Sequence, residues 1–317
     1  MSNIILKKEK TLYNDNLKAR IKKDFIRNKW IYALFIPVLL YYVIFQYIPI
    51  YGLVIAFKDY YPSRGIFGSE WVGLDNFRRF FNSIYFGRLL RNTVLLSVYQ
   101  IIFGFPAPII FALLLNQLHN KYFKRLVQSI TYLPHFISTM VICSMILNFC
   151  LKDGLINDII ALLGGERSNL LLKPNLFRTI YVASGIWQGV GWGSIIYLSA
   201  ITSIDSELYE AAYIDGATRF QREIHITIPG IMPTVTILLI MRIGSLMNVG
   251  FEKVFLLYNP TTYEVADVIS TYIYRKGLVE YDYSFSTAIG LFNSAINIIL
   301  LVIANTISRK VNENSLW

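Results

Sequence analysis

Long apolar stretches without charged residues dominate the hydropathy pattern of this chain. Five of them contain no Lys, Arg, Asp or Glu, and a sixth, from Gly230 to Phe251, is interrupted only by Arg242. Each is longer than the ~20 residues that a helix needs to cross ~30 Å of hydrocarbon. The pattern therefore predicts an all-α integral membrane protein with six transmembrane helices. The five uncharged stretches run from Trp30 to Phe57, Asn92 to Leu118, Leu126 to Leu151, Thr179 to Ile204 and Ser284 to Ser308.

The composition agrees with a bilayer as the surroundings of the chain. Hydrophobic residues make up 55% of the 317 positions and charged residues only 16%, whereas soluble domains carry roughly 25% charged residues. A disordered chain, a nucleic-acid-binding domain and a disulfide-stapled secreted protein are therefore all disfavoured. The two cysteines, Cys143 and Cys150, fall about 10 Å apart along one predicted helix, which is too far for a disulfide. The three histidines lie on separate segments, so no metal site is expected.

Basic residues are concentrated at the N-terminus. Nine of the 30 lysines and arginines precede the first apolar stretch. Cytoplasmic segments carry an excess of basic residues, so we expect a cytoplasmic N-terminus, and six crossings return the C-terminus to the same side. The predicted organisation is a basic cytoplasmic tail (residues 1–29), a six-helix transmembrane domain (residues 30–308) and a cytoplasmic C-terminal tail (residues 309–317). The first outer loop also carries several arginines, so it fits the rule that basic residues are concentrated on the cytoplasmic side (the charge rule) less well.

Prolines and glycines mark irregular or close-packed places within the apolar stretches. Pro106 and Pro108 in the second helix and Pro134 in the third predict kinks, because proline lacks the backbone N–H that a helix needs. Small residues four apart in the fourth helix let another helix approach closely; they are Gly185, Gly189 and Gly193. In the second outer loop, apolar residues recur at helical spacing until Gly164, which predicts a short amphipathic helix.

The segment between the fourth and fifth helices, residues 205–229, is acidic although the charge rule places it in the cytoplasm. Its apolar and small residues fall at helical spacing after Asp205 or Ser206, either of which can cap a helix. Gly216 then supplies a turn, and a second short helix is expected from Arg219 to just before Pro229. The pattern therefore predicts two short helices at an angle on the cytoplasmic face.

This acidic loop also carries a spaced motif. Glu210-Ala211-Ala212 is followed after three residues by Gly216, and after nine more by Ile226-Thr227-Ile228-Pro229. The motif resembles the EAA loop of permease subunits of bacterial binding-protein-dependent ABC importers, with Ile228 where Leu is more usual. Further segments resemble the carbohydrate-uptake group, and in particular the Gram-positive permeases that import oligosaccharides cut from complex polysaccharides. These segments are Trp71 to Phe77, Tyr132 to Ser138, Gly250 to Glu252 and Ala288 to Phe292.

The resemblance implies a type I ABC importer permease in the plasma membrane of a Gram-positive bacterium. This chain would pair with a second, related permease, while an ATPase dimer uses ATP and Mg²⁺ in the cytoplasm and a lipid-anchored solute-binding protein delivers sugar outside. Membrane lipid is the remaining partner, and no nucleic acid is expected. The phosphate-binding pattern Gly-x-x-x-x-Gly-Lys-Ser/Thr is absent and the chain has no Gly-Lys pair. The chain itself is therefore expected to bind no cofactor and to be no enzyme.

The resemblance assigns roles within the EAA loop residue by residue. Glu210 would pair with a basic residue of the ATPase, and Ala211 and Ala212 would form the small face that allows close approach. Gly216 would supply the bend. Ile226 and Pro229 complete the motif.

Arg242 is the main candidate for the substrate path, because an arginine within a membrane helix costs at least ~2.5 kcal/mol and usually faces a bundle interior or a watered cavity. It could offer its donors to sugar hydroxyls or a uronate carboxylate, or merely stabilise packing. In related importers the helices that flank the EAA loop contact sugar, which makes Gln188, Trp192, Ser245 and Val249 candidate neighbours. Trp192 could stack on the face of a pyranose ring, or it could serve only in the packing of the protein.

Two other classes of membrane protein fit the same hydropathy pattern. A secondary transporter driven by an ion gradient is the first, although the matching interrupted helices of inverted repeats are not evident. A membrane enzyme or receptor is the second. The apolar stretches lack the paired carboxylates or the His–carboxylate set that acid–base chemistry requires.

Overall fold

The computed structural model describes residues 23–312 and 315–316, and most of the predicted basic tail lies outside them. The described chain is almost entirely helical, apart from a two-stranded antiparallel sheet of β1 (Lys58–Asp59) and β2 (Glu70–Trp71). We number the main helices in chain order. They are α1 (Lys29–Phe57), α2 (Asp75–Phe81), α3 (Phe86–Asn116), α4 (Lys121–Tyr132), α5 (Thr139–Cys150), α6 (Leu155–Leu162), α7 (Pro174–Thr202), α8 (Ser206–Ile214), α9 (Arg219–Gly244), α10 (Phe251–Leu257), α11 (Ile269–Tyr274) and α12 (Tyr283–Asn312).

Five helical stretches in the described residues are long and apolar enough to cross a membrane. They are α1, α3, the stretch Thr139–Leu162 that joins α5 and α6, α9, and residues Tyr283–Lys310 of α12. The helix α7, which contains the fourth predicted crossing, has 29 residues but falls outside this group because glycines, serines and a glutamine lower its hydropathy.

Prolines interrupt the regular helices at two of the expected places. In α3 a π-helical turn, Gln100–Gly104, precedes Pro106, and the chain continues as a helix. The predicted third helix, Leu126 to Leu151, is by contrast two helices. A 3-10 turn, Leu133–Phe136, separates α4 from α5, because Pro134 has no N–H to continue the ladder. Ser138 then caps α5 by accepting a hydrogen bond from the backbone of Val141, so one continuous kinked helix was the wrong expectation.

The predicted boundaries of the fifth helix were also wrong. Instead of spanning Gly230 to Phe251, α9 begins at Arg219, passes through a π turn at Glu223–Thr227 and ends at Gly244. The second short helix expected in the acidic loop is therefore the first turn of α9. Residues 245–250 leave the helical path, and side chains bind their backbone. Ser97 donates to the carbonyl of Leu246, Asn297 accepts from the amide of Met247, and Ser270 donates to the carbonyl of Val249.

The predicted outer loops are folded over one end of the helix bundle. The first carries the β1–β2 pair and ends in α2, where the buried Asn76 donates to the carbonyls of Ala56 and Lys58 at 3.0 and 3.1 Å. In the second loop, α6 confirms the predicted short helix. The third packs α10 against a buried apolar cluster that includes Leu96, Ile142, Phe177, Tyr181 and Val254, and α11 against another that includes Leu89, Phe285 and Ile289. At the opposite end, α3, α7 and α9 share a second cluster: Ala112, Leu115, Tyr197, Leu198, Ile201 and Ile231.

Glycines of α7 allow close packing, but only some of the predicted ones do so. A Cβ at Gly193 would lie 3.1 Å from Pro108 of α3, whereas one at Gly189 would have no neighbour within 4 Å. The tightest approach is at Gly191, where a Cβ would lie 2.2 Å from the carbonyl oxygen of Thr131. The end of α4 therefore rests directly on the α7 backbone.

We expect Gly191→Ala to destabilise the protein, because the methyl group collides with backbone that cannot rotate away. Overpacking of this kind costs about 1–3 kcal/mol. The matched control is Gly189→Ala, two residues along the same helix, whose methyl group enters open space. Thermal unfolding of both purified variants in detergent should show a lower midpoint for Gly191→Ala alone. Equal midpoints would mean that α4 does not pack on α7 in this way.

Candidate functional site

A cavity of about 580 Å³ lies between α3, α7 and α9. Its volume is within the ~300–1,000 Å³ typical of small-molecule sites. Apolar side chains and the glycine face of α7 form most of its wall, and the described residues that line it include no aspartate or glutamate. The lining residues are Gln100, Gly104, Phe105, Pro108, Val182, Gly185, Ile186, Gly189, Val190, Gly193, Ile196, Tyr197, Leu238, Met241, Arg242 and Ser245.

Arg242 brings a positive charge into this cavity from the last turn of α9. Its guanidinium donates a hydrogen bond to Oε1 of Gln100 at 2.5 Å, and none of the ion pairs in residues 23–312 includes it. The charge is therefore held by a neutral amide, which leaves other donors of the guanidinium free for a ligand. Ser245 lies one turn further on, and its hydroxyl donates to the carbonyls of Met241 and Arg242.

The other predicted path residues lie elsewhere. On a helix, adjacent residues are about 100° apart, so Gln188 and Trp192 point away from the face that carries Gly189 and Gly193. Trp192 stacks on His135 with ring centroids 4.7 Å apart and the planes nearly parallel. Val249 is 3% exposed and packs in the apolar cluster around Tyr181. Of the five predicted residues, the structure gathers only Arg242 and Ser245 in the cavity.

Gln100 was not among the residues singled out from the sequence, and the close packing predicted for the glycine stripe holds for Gly193 but not for Gly189. Gln100 opens the π turn of α3, which rotates it toward Arg242. The signal was present, because an amide in an uncharged stretch six residues before Pro106 is an isolated polar group beside a helix breaker. Gly185, Gly189 and Gly193 all line the cavity, so the glycine stripe also forms part of its wall.

An ion-pair network lies at the start of α3, at the opposite end of this helix from its contact with the acidic loop. Asp267 is fully buried and accepts hydrogen bonds from Arg88 at 3.2 Å, from Arg275 at 2.7 Å and from Thr271 at 2.8 Å. The buried Asn92 of α3 donates to the carbonyls of Glu264 and Asp267. These contacts clamp the third predicted outer loop onto α3.

The acidic loop forms the second candidate site. Asp205 caps α8, as predicted, by accepting from the backbone of Glu207 at 3.0 Å. Glu210 and Ala211 are exposed on α8 and Ala212 is half-buried. Gly216 follows with φ +78°, a left-handed conformation that favours glycine. Ile226 and Pro229 do not belong to a separate loop helix, since both lie in α9.

Two side-chain contacts fasten this loop to the helix bundle. The hydroxyls of Tyr209 on α8 and Thr227 on α9 are 2.9 Å apart, and Thr227 is fully buried. Gln117, just beyond α3, donates to Glu223 in the π turn of α9. Several large apolar side chains remain exposed around the loop, which suits a surface that a protein partner covers. They are Leu208, Tyr213, Ile214 and Phe220.

Comparison with known proteins agrees with this architecture. A family model described as "Binding-protein-dependent transport system inner membrane component" matches residues 80–313. Protein LplB of Bacillus subtilis (strain 168) is 47% identical over 292 residues, which cover 92% of each chain. The polygalacturonan/rhamnogalacturonan transport system permease protein YteP of the same organism is 42% identical over 315 residues, covering 99% of this chain and 96% of YteP.

Solved structures give the same result in three dimensions. A chain of a bacterial ABC transporter that imports the acidic polysaccharide alginate superimposes with a TM-score of 0.85 at 43% identity, covering 92% of this chain and 99% of that one. A second structure of a bacterial alginate ABC transporter, in complex with an alginate pentasaccharide-bound periplasmic protein, also gives a TM-score of 0.85. The chain therefore belongs to the family of binding-protein-dependent transport system inner membrane components, and is the membrane-embedded permease subunit of an ABC importer whose ATPase is a separate subunit.

Proposed function

We propose that this permease carries acidic oligosaccharides across the membrane through the cavity between α3, α7 and α9. The main support for this proposal is Arg242, whose positive charge faces the cavity, while the described residues of the cavity wall include no carboxylate. Placing a guanidinium in a membrane helix costs free energy, and charged residues at such positions are usually functional. Its planar donors match the two oxygens of a carboxylate. The substrates named for YteP and for the alginate importers are polysaccharides rich in such carboxylates.

For the topology we propose six crossings with both termini in the cytoplasm of a Gram-positive cell. In this arrangement α7 is the fourth crossing, since 29 residues extend ~43 Å at 1.5 Å per residue. The acidic loop then lies on the cytoplasmic side, and the ion-pair network around Asp267 lies outside. Residues 1–29 and 309–317 are the two cytoplasmic tails.

The loop residues 205–229 serve, in this proposal, as the docking surface for the ATPase dimer. Glu210 and Ala211 are exposed and Ala212 is half-buried, so they can contact a partner. Movement of α8 reaches α9 through the contact between Tyr209 and Thr227. A second, related permease completes the membrane domain, a lipid-anchored binding protein delivers the sugar, and the ATPase uses ATP and Mg²⁺.

The assembled importer should hydrolyse ATP when the sugar-loaded binding protein is added, whereas this chain purified alone should not. Glu210→Lys should abolish the stimulation, because a like charge then faces the basic partner proposed on the ATPase. Glu207→Lys, one turn earlier on α8, is the matched control and should have a smaller effect. The measurement is phosphate release from reconstituted complexes. ATP hydrolysis by this chain alone would contradict the assignment of ATP hydrolysis to a separate subunit.

The turn at Gly216 gives a second test of coupling. Its φ of +78° is strained for a side chain with a branched Cβ, at about 1–3 kcal/mol, although no neighbouring atom lies within 4 Å of a Cβ there. We therefore expect Gly216→Val to uncouple transport from hydrolysis, while Gly216→Asn, which tolerates this conformation, keeps most activity. Uptake per ATP hydrolysed in proteoliposomes distinguishes the two. Equal coupling in both variants would show that the turn conformation is not needed.

The substrate assignment is tested at Arg242. Loss of one charge-assisted hydrogen bond costs about 1.5–3 kcal/mol, so Arg242→Gln should reduce uptake of an oligogalacturonate about tenfold or more. Arg242→Lys, which keeps the charge, should lose less. Transport should be measured in proteoliposomes beside complex assembly and ATP hydrolysis. If a well-assembled Arg242→Gln importer takes up the acidic sugar at the wild-type rate, the residue serves packing only.

A further inference from the structure

Lys253 is a buried amine without a partner. It lies on α10, in the third predicted outer loop, and is 9% exposed. Its Nζ has no hydrogen-bond partner in the structure, and none of the ion pairs among the described residues includes it. Buried charges in proteins are normally paired or hydrogen-bonded. Apart from the ring of Tyr181, the described residues offer this amine no partner that balances its charge.

The amine rests against the helix that forms the cavity wall. Nζ lies 5.2 Å from the centre of the Tyr181 ring, and a Cβ at Gly185 would be 3.6 Å from it. Both residues belong to α7, and Gly185 lines the cavity. Since glycine has no side chain, Gly185 itself places no side-chain atoms between the ammonium and the cavity.

The surroundings reduce the positive charge of Lys253 but do not remove it. Burial lowers the pKa of the amine from 10.5 to about 8, while the nearby Cys143 acts in the opposite direction. The amine therefore remains mostly protonated at pH 7. The titratable groups that face it are the thiol of Cys143 and the phenol of Tyr181, and Arg242 lies beyond Tyr181.

We propose that Lys253 is a second carboxylate-binding group of this cavity, so that the permease itself, and not only its binding protein, selects uronate-containing oligosaccharides. The inference rests on the proposed function, in which the sugar passes Arg242. In this proposal the flexible stem of Lys253 moves its charge past Gly185 to the end of the cavity nearer the third predicted outer loop, where the ammonium binds a carboxylate of the entering chain. Arg242 binds a second carboxylate deeper in the bundle.

The test compares an acidic oligosaccharide with its neutral counterpart. The probes are radiolabelled trigalacturonate and the same trisaccharide with its carboxyl groups reduced, in equilibrium dialysis against the purified importer without binding protein. We expect Lys253→Met to weaken trigalacturonate binding about tenfold and to leave the reduced sugar unchanged. Lys253→Arg, which keeps the charge, should retain most of the affinity. Lys173→Met, an exposed lysine just before α7, is the control and should match the wild type.

The pH profile separates a binding role from a structural one. Raising the pH from 7 to 9 crosses the pKa of about 8, so the amine loses its charge while uronate carboxyls stay ionised. Wild-type affinity for trigalacturonate should therefore fall over this range, and Lys253→Met should show no such fall. Cys143→Ser should keep the wild-type profile, which excludes the thiol as the titrating group.

Four outcomes would contradict the role of Lys253 or the function on which it rests. Equal affinity of the wild type and Lys253→Met for trigalacturonate would show that the amine does not contact the sugar. A parallel loss for both sugars would assign Lys253 a structural role. A wild-type importer that takes up neither sugar in proteoliposomes would contradict the proposed function itself. Uptake of trigalacturonate by the wild type together with an unchanged Lys253→Met variant would overturn only the role of Lys253.

Discussion

The absence of water from the hydrocarbon core constrains this structure more than any other factor, because every backbone N–H and C=O there needs an internal partner. Where a helix departs from regular geometry, other protein groups have to bind the freed backbone. The clearest case is the segment of residues 245–250, whose backbone is bound by Ser97, Asn297 and Ser270 from three different helices. The end of α9 can unwind beside the cavity only because these side chains replace the helical hydrogen bonds.

The same constraint explains why the cavity lies where it does. A π turn in α3 presents Gln100, the last turn of α9 presents Arg242, and Ser245 follows directly after that helix. A side of α7 made of glycines leaves room between them. None of the three features alone makes a site. Together they place a charge in an apolar wall without exposing backbone to lipid, and the Gln100 amide holds the guanidinium in position.

Sequence patterns predicted the parts of the fold that depend on hydropathy and on local chemistry. The long apolar helices, the Asp205 cap, the turn at Gly216 and the short helix α6 all follow from residues close together in the chain. At Pro134 the sequence predicted a kink, and the structure has a break between two helices. The end of α9 at Gly244 could not be predicted, because it depends on which distant side chains bind the freed backbone. For the same reason Arg242 was found as an isolated charge, whereas its partner Gln100, 142 positions away, was missed. Gln188 and Trp192 were misplaced because the rotation of α7 is set by its packing on Thr131 and Pro108.

The contact between Tyr209 of α8 and Thr227 of α9 has a geometric consequence for the cavity. Thr227 receives the contact from Tyr209, and Arg242 lies fifteen residues further along the same helix, a distance of ~22 Å at 1.5 Å per residue. If α9 pivots at Thr227, a tilt of about 10° displaces the backbone at Arg242 by ~4 Å, since ~22 Å is the length of the lever. That displacement is longer than the hydrogen bond to Gln100. A small inclination of one helix at the loop therefore suffices to separate the guanidinium from its amide and to change the width of the passage.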